Sequence, residues 1–168
     1  GTLTPTGVLP VGDGPQDIAF STDGDWAFVT NRWDDTLSVI DTTIPTVTLT
    51  LPVGSEPTNM AATLTDKLYI ALRNDDAVAV LDTVAMTVTT VITGFDIPHS
   101  LTLAPTGGYV YVVNQGSNSV GVIDTSSDSL IATWTIPGAN WLADVDISVD
   151  GGRMYVGDAE RGEIYVLA

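Results

Sequence analysis

A six-residue segment recurs along the chain at nearly constant spacing, and this repeat limits the possible folds more than any other feature. Leu37–Thr42 returns as Val78–Thr83 and Val120–Thr125, at offsets of 41 and 42 residues, and Ile164–Ala168 is a shortened fourth copy. A second apolar segment precedes each copy in step: Ala27–Asn31, Leu68–Leu72, Val110–Asn114 and Met154–Asp158. Four copies in 168 residues make about 42 residues each.

The strand pattern within each copy indicates the fold. Each repeat reads as four short strands, with turn pairs such as Asp23-Gly24 and Asp150-Gly151 after the first. A period of about 40 residues with four strands per unit is typical of a propeller blade. No helical periodicity of useful length is present, which excludes helical solenoids. We therefore predict an all-β fold: a four-bladed β-propeller with four antiparallel strands per blade.

The repeat also predicts the domain organisation and how the ring closes. We expect one domain over residues 1–168, with blades at about 13–54, 55–94, 95–137 and 138–168. The fourth copy lacks an outer strand, and Val8–Gly12 matches the end of an outer strand at Thr50–Gly54. Residues 1–12 should therefore pair beside Ile164–Leu167 and close the ring, which removes exposed sheet edges. The sequence begins at Gly1 without Met, and a removed signal peptide is one explanation.

Two strand motifs carry a family resemblance. Phe28–Asn31 reads FVTN and Tyr111–Asn114 reads YVVN, and a residue pair ending in Pro, such as Gly14-Pro15, opens the innermost strand. The whole chain resembles the YVTN-type β-propeller repeat of surface-layer and other extracellular proteins. This resemblance implies a location outside the cell or at its surface. Such motifs indicate the fold but say little about the function, because propellers have many unrelated activities.

Charge and composition exclude several classes of partner. The chain has 21 Asp and Glu against 5 Lys and Arg, a net charge of −16, which would repel nucleic acid and anionic lipid. Apolar stretches such as Tyr109–Val113 are too short to cross a bilayer. We expect no nucleic acid partner and no direct membrane insertion. No cysteine is present, which excludes disulfides and thiol nucleophiles.

The sequence favours a protein that is not an enzyme. His99 is the only histidine, and the chain has no Gly-x-Ser-x-Gly motif and no phosphate-binding Gly-Lys loop. Adjacent carboxylates such as Asp34 and Asp35 point to opposite sides if extended, so they make no acid/base pair by themselves. Asp41, Asp82 and Asp124, each followed by Thr, are better explained by turn chemistry.

Repeat alignment places four polar residues around the axis, at the start of the innermost strands: Asp17, Asn59, Ser100 and Asp144. Two carboxylates with amide and hydroxyl oxygens could hold a hard cation such as calcium at this axial mouth. The alternative is a water-filled polar channel whose groups bond to one another. Calcium is the only cofactor that the sequence suggests.

The loops between the second and third strands should lie on the same face and could contact a ligand or partner. The candidates on these loops are Trp33, Asp34, Asp35, Asp75 and Asp76, and Trp141 joins them from the entry to the fourth blade. An exposed tryptophan often anchors a sugar ring or a partner protein, although Trp33 could equally fold over its own blade. Trp26 and Trp134 lie on or beside strands and are interpreted as packing residues.

Two classes of function follow. The first is a non-enzymatic extracellular structural protein that assembles in a surface layer, a filament or a larger cell-surface complex. The second is a ligand-binding propeller, lectin-like or protein-binding, that uses the acidic, Trp-bearing loops. The predicted partners are further copies of the chain, as oligomer or polymer, or other cell-surface proteins and glycans. Contacts should centre on low-charge outer segments such as Thr42–Leu51.

Overall fold

The described part of the chain folds into antiparallel β-sheets. A computed structural model describes residue 4 and residues 7–168. In chain order the strands are β1 (Pro15–Phe20), β2 (Trp26–Asn31), β3 (Thr36–Asp41), β4 (Thr46–Pro52), β5 (Pro57–Ala62), β6 (Lys67–Leu72), β7 (Ala77–Asp82), β8 (Thr87–Thr93), β9 (Pro98–Leu103), β10 (Tyr109–Asn114), β11 (Ser119–Asp124), β12 (Ser129–Thr135), β13 (Leu142–Ile147), β14 (Met154–Asp158) and β15 (Glu163–Leu167). The prediction of an all-β fold is confirmed.

The strands form four sheets, each built from consecutive strands. The orders are β1-β2-β3-β4, β5-β6-β7-β8, β9-β10-β11-β12 and β13-β14-β15. Equivalent residues pair in every sheet: Phe28 faces Val39, Tyr69 faces Val80, Tyr111 faces Val122, and Tyr155 faces Val166. The sequence repeat is therefore also a repeat in strand register. Each sheet lies within one of the predicted repeats.

Successive side chains of a strand point to opposite faces, so a continuous apolar run such as that of β6 is buried on both sides of its sheet. On β6, Leu68 and Ile70 pack into one cluster with Phe28 of the first sheet. Tyr69 and Ala71 of the same strand pack into a second cluster with the third sheet. A third cluster joins the third and fourth sheets. The innermost strands β1, β5, β9 and β13 contact one another in that order, as blades do around an axis.

The described residues do not show the predicted closure of the ring. Part of the proposed closing strand, residues 1–3, 5 and 6, lies outside the described residues. Residues 7–12 form no strand, and within the described chain β15 pairs with β14 alone. The end of this segment lies against the first sheet, since a side chain at Gly12 would lie 2.6 Å from the Asn31 side chain, whereas Val8 is exposed. The described part is an open arc of four sheets.

No helix in the described part of the chain is long and apolar enough to cross a membrane.

Candidate functional site

One face of the arc collects the loops that carry most of the predicted site residues. In every sheet, the turn after the second strand bonds to the loop that leads into the first strand. Arg32 N donates to Gly14 O at 2.9 Å, Arg73 N to Glu56 O at 3.1 Å, and Ala159 N to Trp141 O at 3.0 Å. These turns and lead-in loops together form what we call the axial face.

The predicted acidic residues of the axial face bind backbone amides of the lead-in loops. Asp34 accepts a hydrogen bond from Asp13 N at 2.6 Å, and Asp75 accepts one from Ser55 N at 2.8 Å. Asp35 and Asp76 bond in the same way to the next sheet, through Glu56 N and Ile97 N, both at 2.8 Å. These four carboxylates have structural roles, and a role in ligand binding stays a prediction.

The two predicted tryptophans lie at opposite ends of the arc. Trp33 belongs to the first sheet and is exposed, but one side of its ring rests on Gly14, where an added side-chain carbon would lie 2.8 Å from the ring. Trp141 precedes β13 of the last sheet and is also exposed. The described arc therefore does not bring the two together into one aromatic site.

The four residues predicted at the axial mouth act mainly as links between neighbouring sheets. Asp17 accepts a hydrogen bond from Met60 N of the second sheet at 2.7 Å, and Ser100 donates one to Asp144 of the fourth sheet at 2.5 Å. The Oδ1 atom of Asn59 is buried without a partner. Within residues 4 and 7–168, no group of three or more acidic or histidine side chains is placed to hold a metal ion. Calcium at this mouth stays a prediction.

A cationic cluster on the axial face was not among the predicted sites. Arg32 of the first sheet donates to Glu56 at 2.7 and 3.1 Å. Arg73 lies 3.9 Å from the same carboxylate and 3.4 Å from Gln115 of the third sheet. The hydrogen bond from Arg32 lowers the pKa of Glu56, and the charge of Arg73 adds to this effect. The signal in the sequence was two arginines at the same repeat position in a chain with few cations.

His99 lies between this cluster and the last sheet. Its Nδ1 is 3.2 Å from Ala143 O, and because a carbonyl only accepts, Nδ1 carries the proton. Burial lowers the pKa of His99, and the charges of Arg73 and Arg32 lower it further, although the bond to Ala143 opposes them. The imidazole is therefore neutral at neutral pH, and its Nε2 keeps a lone pair.

The flanks of the arc form a second candidate surface, made of apolar side chains that face no neighbouring sheet within residues 4 and 7–168. On the last sheet, we call the surface formed by Tyr155, Ile164 and Val166 the trailing flank. Ile164 is 63% exposed and Val166 is 57% exposed. The residues equivalent to Ile164 in the other sheets, Leu37, Val78 and Val120, are 0% exposed. The trailing flank therefore has the composition of a buried inter-sheet surface.

The first sheet shows the complementary surface, which we call the leading flank. Ile18 and Phe20 of β1 are 62% and 57% exposed. The residues equivalent to Ile18 are Met60, Leu101 and Val145, all of which are buried against a preceding sheet. The two flanks are thus the two halves of the interface that occurs three times within the arc.

Comparisons with known proteins agree with a propeller. The family model described as "Lactonase, 7-bladed beta-propeller" matches residues 2–130. The uncharacterized protein YwhL of Bacillus subtilis (strain 168) is 36% identical over 156 residues, which are 92% of this chain and 31% of that protein. The chain therefore spans about a third of this curated relative.

Similar solved structures are also longer than this chain. Hydrazine synthase of Kuenenia stuttgartiensis has a TM-score of 0.79 at 25% identity, over 99% of this chain and 53% of that one. A functionally unknown protein from Desulfotomaculum acetoxidans DSM 771 has a TM-score of 0.75 at 15% identity, over 92% and 55%. The WD40 beta propeller domain of Doa1 has a TM-score of 0.75 at 15% identity, over 89% and 49%. Those at 15% identity show the fold alone.

These matches support a β-propeller repeat family, but they do not single out the YVTN type. The family description names seven blades, whereas the described residues form four sheets, so the matches do not confirm a ring of four blades. The family model covers well over half of the sequence. The chain belongs to the Lactonase, 7-bladed beta-propeller family.

Proposed function

We propose that the chain is a non-enzymatic structural module that assembles by packing its two flanks against further blades of the same repeat. For the 168-residue chain itself, a second copy supplies such blades. The observation that carries this proposal is the exposure of Ile18, Ile164 and Val166, at positions that are buried between sheets elsewhere in the arc.

The energetics favour covering these flanks. Fully burying a side chain such as Ile or Phe stabilises by roughly 1.5–3 kcal/mol, and each flank offers two or three such side chains. The leading flank of one copy complements the trailing flank of the next, because this pairing already occurs between adjacent sheets. Two copies joined head to tail at both ends would make a ring without a free flank. This arrangement differs from the prediction made from the sequence, in which copies contact one another through outer segments such as Thr42–Leu51.

The experiment compares flank variants with a charge-matched control by sedimentation velocity. We expect the wild-type chain to self-associate with rising concentration, and Val166→Lys and Ile18→Lys to be monomers. Val149→Lys adds the same charge at an exposed turn position, and it should behave like the wild type. Mixing the two variants should restore association in part. The Val166→Lys chain keeps an intact leading flank and the Ile18→Lys chain keeps an intact trailing flank, and these two flanks can pair. A wild-type chain that is monomeric at every concentration would contradict the proposal.

We propose a location outside the cell, which is supported by the resemblance of the repeat to that of surface-layer and other extracellular proteins. Assembly in a surface layer or a filament, and recognition of cell-surface proteins or glycans, are extensions of the same proposal. Fractionation of cells that produce the protein, with detection in the medium and at the surface, tests the location.

A second candidate function is lactone hydrolysis, suggested by the description of the family. The observation that favours it is the partly buried His99, whose Nδ1–H donates to Ala143 O at 3.2 Å and leaves the Nε2 lone pair free to accept a proton. Such a group could act as a general base beside cations that stabilise a developing oxyanion. A pH-stat assay with δ-gluconolactone distinguishes the two functions. Hydrolysis above the spontaneous rate that disappears in His99→Ala would establish an enzyme, and no hydrolysis is the result expected for a structural module.

A further inference from the structure

A cleft of about 410 Å³ opens between the first and second sheets. It lies at the opposite end of the strands from the axial face, because the turns after β1, β5 and β7 surround it. Trp26, Leu49 and Met86 give it an apolar wall, and Asp23, Asp66 and Thr48 add polar groups. Its volume is within the range of about 300–1,000 Å³ that is typical of small-molecule sites.

The same position between the second and third sheets is bridged by an ion pair. Lys67 replaces Trp26 there, and Asp128 replaces Met86 at the same turn position, with φ of 48° against 54°. The Lys67 ammonium lies 2.7 Å from Asp128 and 3.1 Å from Thr125 O, and the Tyr69 hydroxyl also bonds to Asp128. Where the junction of the second and third sheets has a polar bridge of Lys and Asp, the junction of the first and second sheets therefore has an apolar wall of Trp and Met.

The polar groups of the cleft are mostly acceptors. Asp23 accepts hydrogen bonds from Ser21 Oγ at 2.6 Å and Asp25 N at 3.1 Å, both through its Oδ1 atom. Asp66 takes one long hydrogen bond, 3.5 Å, from Thr22. Ionised carboxylates accept several hydrogen bonds each, so both keep capacity for donors from a ligand. An anionic ligand would be repelled by these two charges and by the net charge of −16.

We propose that this cleft binds a neutral saccharide, with an apolar face of the sugar ring against Trp26 and sugar hydroxyls donating to Asp23 and Asp66. Aromatic side chains present the apolar surface that a pyranose ring covers, and carboxylates accept from its hydroxyl groups. The site uses a different tryptophan from the two on the axial face. It is also independent of the flanks, so it holds whether or not the chain assembles.

The test uses saturation-transfer NMR with methyl glucoside, methyl galactoside and N-acetylglucosamine as probes. We expect at least one of them to bind the wild-type chain in the millimolar range or tighter. The decisive variant carries Trp26→Lys together with Met86→Asp, which copies the Lys67–Asp128 bridge into the cleft. This double variant should lose binding and still fold, as circular dichroism would show, although its melting temperature should fall because Trp26 and Met86 pack against the first core cluster.

Single variants and controls keep the result interpretable if the double variant fails to fold. Asp66→Asn should weaken binding about tenfold, the effect of losing one charge-assisted hydrogen bond of roughly 1.4 kcal/mol. Trp134→Ala, outside the cleft, should bind as the wild type does. Binding that survives in the folded double variant would overturn the proposal. So would binding of methylammonium with no binding of any of the three sugars.

Discussion

Left-handed backbone recurs at one position in the turns of the axial face. Asp35, Asp76 and Asn118 have φ of 59°, 50° and 48°, and Gly162 has 66° at the equivalent position. Glycine, asparagine and aspartate are the residues that adopt this region most readily. Asp35 and Asp76 also bind the lead-in loop of the next sheet. Part of the acidic composition is therefore explained by turn geometry and by bonds between sheets.

Asp158 makes the densest set of such bonds, and its removal should destabilise the last sheet. Its buried carboxylate accepts hydrogen bonds from the backbone N–H groups of Asn140, Trp141, Glu160 and Arg161. Burial raises the pKa of Asp158, but these four donors outweigh it and hold the pKa below its usual range. Asp158→Ala should lower the melting temperature at pH 7.

The pH dependence of this effect has a definite sign. A carboxyl whose pKa is lowered by folding contributes stability above its unfolded pKa of about 3.9, and this contribution is lost as the pH falls through the folded pKa. Thermal unfolding at pH 7 and at successively lower pH below about 4 should show the difference between wild type and Asp158→Ala shrinking. Glu160→Ala, an exposed neighbour of equal charge, is the control and should change little. A difference that grows on acidification would contradict this account.

At the scale of the strands, the size of the side chain in a lead-in segment is matched by the size of the strand residue that it packs against. Val53 of the lead-in segment packs in one cluster with Ala79 of β7. At the next junction the lead-in residue is Phe95, and the residue equivalent to Ala79 is Gly121 of β11. A side chain at Gly121 would lie 2.8 Å from Phe95 Cε1. The larger lead-in residue is accommodated by the smaller strand residue.

Gly121→Ala should destabilise the fold by about 1–3 kcal/mol, because the added methyl group overpacks the contact with Phe95. Phe95→Val should also destabilise, by leaving a cavity. In the double variant, which restores the Val–Ala combination of the previous junction, the cost should be less than the sum of the two. Urea denaturation measures all three. Gly157→Ala, where the nearest side-chain atom is 3.7 Å away, is the control, and strict additivity would contradict the fit.

At the scale of the whole molecule, a strongly acidic surface surrounds a few cationic links between sheets. Arg32 joins the first sheet to Glu56 of the second, and Lys67 joins the second to Asp128 of the third. Attraction at these links is local, whereas repulsion among the excess carboxylates acts over the whole surface. The net charge of −16 should therefore dominate the response to salt.

We expect the melting temperature to rise between low salt and physiological salt, as the Debye length falls from about 30 Å to about 8 Å. Differential scanning calorimetry in a sodium chloride series measures this at one protein concentration. Asp25→Asn combined with Glu160→Gln lowers the net negative charge by two units and should flatten the rise. A melting temperature that falls with salt would instead mean that the ion pairs between sheets outweigh the repulsion.

The sequence by itself determined the repeat, the strands and the chemistry of the turns, because these depend on residues close together in the chain. The strand predicted at Ala27–Asn31 is β2, one residue longer, and Asp82 bonds to the amides of Val84 and Ala85 as turn chemistry predicts. Local periodicity and local hydrogen bonds suffice for such features.

Only the tertiary structure decided which groups meet across sheets and which surfaces stay uncovered. Arg73 reaches Gln115, 42 residues away. Trp26 and Lys67 begin the same strand of their repeats, but Trp26 lines a cleft between the first and second sheets, whereas Lys67 makes an ion pair between the second and third. The repeat predicts equivalent backbones, but the space between two backbones is filled by side chains from both. The open arc has the same cause, since a matching strand pattern at Val8–Gly12 does not by itself make that segment pair with β15.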